Sequence, residues 1–74
     1  MTPALAALML EHNDPDNRPL DPDRAARYAQ AYLDGTMPTG RPIEFTGYTL
    51  VNGQHRLAAI VLCGRAVEVD VEWA

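Results

Sequence analysis

The 74-residue sequence predicts a small α+β domain, with elements in the order α-α-β-β-α-β and a small mixed sheet. Three observations predict it. Two segments, Thr2-Pro3 and Asp21-Pro22, place a capping side chain before a proline, and each runs on into apolar residues at helical spacing. Residues 42–51 alternate apolar and polar positions on both sides of a glycine, as hairpin strands do. The final segment sets Val67, Val69, Val71 and Trp73 against Glu68, Asp70 and Glu72 in unbroken alternation.

The first helix, residues 3–11, takes Thr2 as its cap and Pro3 at its first position, where a missing N–H costs nothing. Leu5, Leu8 and Met9 recur at helical spacing, but Ala4 to Leu10 is apolar on nearly every side. Such a helix is either clamped between other elements or supplies a contact to a protein partner or a second copy. The polar, proline-bearing stretch Asn13 to Pro19 cannot continue it. The second helix, residues 22–34, has Asp21 as cap, Asp23 against the positive dipole end, and an apolar stripe of Ala25, Ala29, Tyr32 and Leu33. Arg24 and Arg27 fall off that stripe, and Gly35 stands where a left-handed cap is expected.

Within the hairpin, a turn at Thr46-Gly47 with only Gly47 left-handed sets Phe45 opposite Tyr48 and Ile43 opposite Leu50. Asn52 is expected to cap a third helix running from Gly53 to Cys63 and closed by Gly64. The last strand is expected over residues 66–73. A right-handed crossover through the third helix then makes the strand before it and the strand after it parallel neighbours. The chain contains no internal repeat, linker or low-complexity tract, so residues 1–74 form one domain.

Composition excludes several functions. Apolar residues make up 47% and charged residues 22%, which is incompatible with a disordered tail. Six arginines, no lysine and ten carboxylates give a net charge of −4, so general adhesion to nucleic acid or an anionic membrane is not expected. The lack of lysine removes Schiff-base and P-loop chemistry. The longest apolar runs have seven residues, too short to span a membrane, and the first lacks a cationic flank, so a cytoplasmic location is expected. A lone cysteine, Cys63, excludes an internal disulfide and a zinc ribbon, and near a helix C-terminus it is disfavoured as a thiolate. No metal site is expected. His12 and His55 are far apart, and the acidic loop from Asp14 has Arg18 and Pro19 where a calcium loop needs a ligand and a glycine.

One junction carries chemistry. Asn52, Gly53, Gln54, His55 and Arg56 lie where a strand gives way to a helix. Gly53 lets backbone approach a ligand, the first helical N–H groups point outward, and the dipole favours an anion. Arg56 adds a planar fork for phosphate or carboxylate, and His55 can donate a hydrogen bond or move a proton. Each residue also has a plainer reading: Asn52 as a cap, His55 bonded to a nearby loop, Arg56 in a surface ion pair. Gln54 alone has no evident structural duty. The row Glu68, Asp70 and Glu72 reads as a solvated strand face or as a negative surface for a basic partner.

The run from Leu50 to Ala59, with Asn52-Gly53-Gln54-His55-Arg56 at its centre, resembles the strand–turn–helix signature of the ParB/sulfiredoxin-like superfamily, in the variant reading Asp-Gly-Gln-His-Arg. Gly64, the valine strand and the upstream Asn17-Arg18-Pro19-Leu20 fit the same pattern, which resembles small ParB-like proteins of actinobacterial phages. The resemblance spans most of residues 13–73. It implies a ParB/sulfiredoxin-like mini-domain that binds a nucleotide or phosphate-containing ligand at Asn52, Gly53, Gln54, His55 and Arg56, with magnesium accompanying a nucleotide. His55 is the one candidate catalytic group, for a weak phosphohydrolase activity. Binding is favoured over catalysis, because no general-base carboxylate accompanies His55. Two departures limit the transfer. Asn52 replaces the usual acidic residue, and Gln54 stands where sulfiredoxins carry their catalytic cysteine, which rejects sulfinic-acid reduction. No helix-turn-helix domain like that of full-length ParB proteins is expected within these 74 residues. The alternative is a non-enzymatic phage protein that docks on a host protein or a DNA-processing complex.

Overall fold

The computed structural model describes residues 1–38, 40 and 42–74. The elements are α1 (Pro3–Leu10), α2 (Pro22–Asp34), β1 (Ile43–Thr46), β2 (Thr49–Asn52), α3 (Gln54–Cys63) and β3 (Val71–Trp73). This is the expected α+β order, with a three-stranded mixed sheet.

Both proline-opened helices start as their sequences require. The Thr2 hydroxyl accepts the Leu5 N–H at 3.1 Å, and the Asp21 carboxylate accepts the N–H groups of Asp23 and Arg24 at 3.0 and 3.3 Å. Gly35 ends α2 with φ +71°, a conformation that only glycine adopts freely. Past α1 the chain does more than loop. The Leu50 N–H donates to the His12 carbonyl at 2.8 Å, and the Asp14 N–H donates back to the Leu50 carbonyl at 3.0 Å. Residue 13 thereby forms a parallel bridge on the outer edge of β2.

Three expectations for the strands are corrected. First, the turn moves by one residue and the hairpin register by two: Phe45 pairs with Leu50 and Thr46 with Thr49, leaving Gly47-Tyr48 as the turn. Gly47 takes φ +59° while Tyr48, like every described non-glycine residue, keeps a negative φ, the pattern of a two-residue turn with glycine first. Tyr48 therefore sits at the tip, 90% exposed, rather than opposite Phe45.

Second, β1 lies at the centre in the order β2-β1-β3, antiparallel to β2 and parallel to β3. The strands on either side of α3 are thus antiparallel and do not touch. The reason is local. One edge of β2 is closed by β1 and the other by residues 12–14, so the returning chain finds its open edge on β1.

Third, regular pairing of the last strand covers only residues 71–73. Val67 pairs instead with Met1, whose amino group donates to the Val67 carbonyl at 2.8 Å and whose carbonyl accepts the Val67 N–H at 2.8 Å. The alternation itself holds: Val67, Val69 and Val71 are half-buried, while Glu68, Asp70 and Glu72 are exposed. Trp73 departs from it, being 60% exposed, with one face stacked on Phe45 at 5.1 Å between ring centres.

The core gathers Ala6, Ile43, Phe45, Leu50, Leu57 and Ile60. α3 packs against both α1 and α2, which explains why Leu57, Ala58, Ala59 and Ile60 are buried in succession. α1 buries Ala6 and leaves Leu5 and Leu8 43% and 55% exposed. It is held on one side, not clamped on two.

Candidate anion-binding site

The site is built on the junction between β2 and α3. A bulge between the Phe45–Leu50 and Glu44–Asn52 pairs inserts Val51 as an extra residue. Without it Asn52 would fall on the core side of the ribbon with Leu50; with it Asn52 lies opposite Glu44 and donates from Nδ2 to the Glu44 carboxylate at 3.2 Å. Asn52 is therefore not the cap of α3, and that expectation is corrected. The cap position belongs to Gly53, at φ +106°, with no side-chain cap bond.

Gly53 owes its identity to packing. A Cβ there would lie 2.6 Å from Ile43 Cδ1, and the positive φ disfavours any other residue. Gln54, read in the sequence as free of structural duty, has one: its side chain is buried, Oε1 accepts from Asn13 Nδ2 at 2.6 Å, and Nε2 donates to the Arg18 carbonyl at 2.6 Å. Asn17 Nδ2 continues the network to Asn13 Oδ1 at 2.8 Å and the Leu50 carbonyl at 2.9 Å. These bonds fold the 13–18 loop back over the start of α3 and carry Arg18 to it.

His55 Nε2 accepts the Asp21 N–H at 2.9 Å, so its ring proton resides on Nδ1. Partial burial, reinforced by the neighbouring Arg24 and Arg18, holds its pKa below the usual histidine value against the opposing pull of Asp21. A neutral ring bonded through Nε2 is poorly placed to take up a proton there. Arg56 extends from the first turn of α3 and donates from Nη2 to the Pro42 carbonyl at 3.1 Å. Asp21 is held below the ordinary carboxylate range by the Arg24 and Asp23 N–H groups and by the charges of Arg27 and Arg24.

All five residues of the junction line one cleft of about 240 Å³. Asn17, Arg18, Arg24, Tyr28 and Val51 also line it. Three of the chain's six arginines thus meet at one place on a protein of net charge −4. Among the described residues, no hydrogen bond ties the Arg18 or Arg24 guanidinium to another side chain, Arg24 acts on the Asp21 carboxylate through its charge, and the N–H groups of Gly53, Gln54 and His55 have no protein acceptor. Guanidinium groups and unpaired helical N–H groups together favour a small oxyanion.

Sequence reasoning named Arg56 but missed Arg24 and Tyr28. Their signal is the four-residue spacing that sets both on one side of α2. Arg18 was visible only as part of the upstream Asn17-Arg18-Pro19-Leu20 run. No group of three or more His, Cys, Asp or Glu among the described residues is arranged to hold a metal, and none of their helices is long and apolar enough to cross a membrane. No family model, curated protein or solved structure matches the chain.

Proposed function

We propose that this chain binds a nucleotide or another phosphate-containing ligand in the cleft at residues 52–56, and that it is a binder rather than a catalyst. The observation that carries the reading is the convergence of Arg18, Arg24 and Arg56 on the lining of one cleft. Such groups stabilise a dianionic phosphate through charge-assisted hydrogen bonds, strongest where water is partly excluded. The resemblance of Asn52-Gly53-Gln54-His55-Arg56 to the ParB/sulfiredoxin-like signature supports the same ligand class, and with it a phage protein working in a bacterial cytoplasm. Against catalysis stand the engaged Nε2 of His55 and a cleft whose described lining residues include no carboxylate base. Against a sulfiredoxin reaction stands Cys63, which lies at the far end of α3 with its thiol directed to the Ile60 carbonyl.

Thermal denaturation with inorganic phosphate and with nucleoside mono-, di- and triphosphates, each with and without magnesium, tests the reading. Binding to the folded state raises Tm by linkage. The expected affinity is millimolar to micromolar, on the order of −4 to −8 kcal/mol. Arg24→Ala should weaken it at least tenfold, and equal affinity in that variant would count against the site.

A second reading rests on α1. Leu5 and Leu8, both largely exposed, form an apolar surface on an otherwise solvated helix face and fit a protein-docking role without chemistry. Light scattering of the protein and of a Leu8→Glu variant distinguishes self-association from a monomer.

A further inference from the structure

The arginine cleft has a neighbour. A second cavity of about 580 Å³ opens beside it, within the range of about 300–1,000 Å³ that small-molecule sites occupy. Arg56 stands in the wall of both. So does α2, which presents Arg24 and Tyr28 to the first cavity and Ala31, Tyr32 and Gly35 to the second. Steps of three and four residues keep these positions on one face of the helix, so the cavities follow each other along it. Eleven residues at 1.5 Å each give the groove a length of about 16 Å.

The two halves differ in chemistry. The first is cationic and polar. The second is walled by Met37, Val67 and Val69, with the carboxyl-bearing residues Glu68 and Asp70 at its margin. Among the described residues its other cation besides Arg56, the Met1 amino group, is engaged by the Val67 carbonyl. The described walls of the groove are therefore polarised from arginine to carboxylate.

We propose that the two cavities take a single ligand, a phosphate ester whose organic part carries hydroxyl or amino donors. The phosphate lies among Arg18, Arg24 and Arg56. The organic part passes Arg56 and rests on Met37, Val67 and Val69, donating to Glu68 and Asp70. The reverse orientation would set the phosphate against two carboxylates and leave the guanidinium groups facing a neutral body. The inference rests on the phosphate reading above and adds what the phosphate is attached to. It also excludes ligands whose organic part is itself anionic.

Calorimetric titration separates the two claims, with inorganic phosphate, ribose 5-phosphate, adenosine 5′-monophosphate and unphosphorylated adenosine as probes. Inorganic phosphate should bind, and at least one of the two esters should bind ten-fold or more tightly than it does. Ribose 5-phosphate retaining the whole gain would assign the donors to sugar hydroxyls; a gain confined to the nucleotide would assign them to a base. The double variant Glu68→Ala/Asp70→Ala removes two exposed side-chain acceptors. It should abolish the ester's advantage while leaving phosphate affinity within two-fold. If phosphate binds but neither ester binds more tightly, or if the advantage survives in the double variant, the second cavity is not the ester's seat. If no phosphate-bearing probe binds, the phosphate reading fails and this inference fails with it.

Discussion

Gln54 joins two stretches of chain through one amide. It accepts from Asn13 and donates to the Arg18 carbonyl from a buried position, so Gln54→Leu leaves two polar groups without partners. Each such group costs about 1–3 kcal/mol, and urea denaturation should report a loss of that order or larger. His55 makes the protein sensitive to acid. Its pKa in the folded chain lies below the unfolded value because burial and the nearby arginines oppose the charge. Its contribution is therefore fully present above the unfolded pKa of about 6.5 and is lost as pH falls through the lower, folded value. Unfolding curves from pH 7.5 downward should show stability declining below about pH 6.5, and His55→Gln should flatten that decline. An unchanged slope in the variant would mean that another group sets it.

At the scale of elements, the β2–α3 junction is where backbone and core constrain each other. Gly53→Ala brings a Cβ within 2.6 Å of Ile43 Cδ1 at φ +106°. Gly64→Ala also meets a positive φ, at +71°, with no atom within 4 Å. Both should lose roughly 1–3 kcal/mol for the backbone conformation. Only Gly53→Ala should lose more, through overpacking, and Ile43→Val should recover part of that excess. The same junction shows what the sequence could and could not reveal. Helix starts at Thr2 and Asp21 and the stop at Gly35 were legible, because each depends on side chains within a few residues of the bond they make. The hairpin register was not. It depends on the bulge at Val51, which no turn residue announces, and on Gly47 rather than Thr46 opening the turn. The expected parallel pairing of β2 with β3 failed for a non-local reason, since residues 12–14 already hold that edge of β2. Likewise the five contiguous residues of the cleft could be read together. Arg24 and Tyr28 reach it only through the packing of α2 on α3.

Over the whole molecule, charge is arranged against its own average. A chain of net charge −4 repels anions at long range, yet three of its arginines line one cleft. Added salt acts on both effects. It screens the repulsion and competes for the cleft, with a Debye length near 10 Å at 0.1 M. The short-range attraction should dominate, so phosphate affinity should fall as sodium chloride rises from about 0.05 to 0.5 M. An affinity that rose with salt would show that repulsion governs. The side-chain relay from Asn17 through Asn13 and Gln54 to Arg18 has a further consequence, in time rather than in energy. Its members are separated by up to 41 positions, so it can close only after the 13–18 segment has met the β2–α3 junction. The 13–18 segment should thus be the last to settle during refolding and the first to open afterwards. Cleavage there by an aspartate-directed protease would then act as a clock for the cleft, slowing whenever an occupant ties Arg18 to the opposite wall.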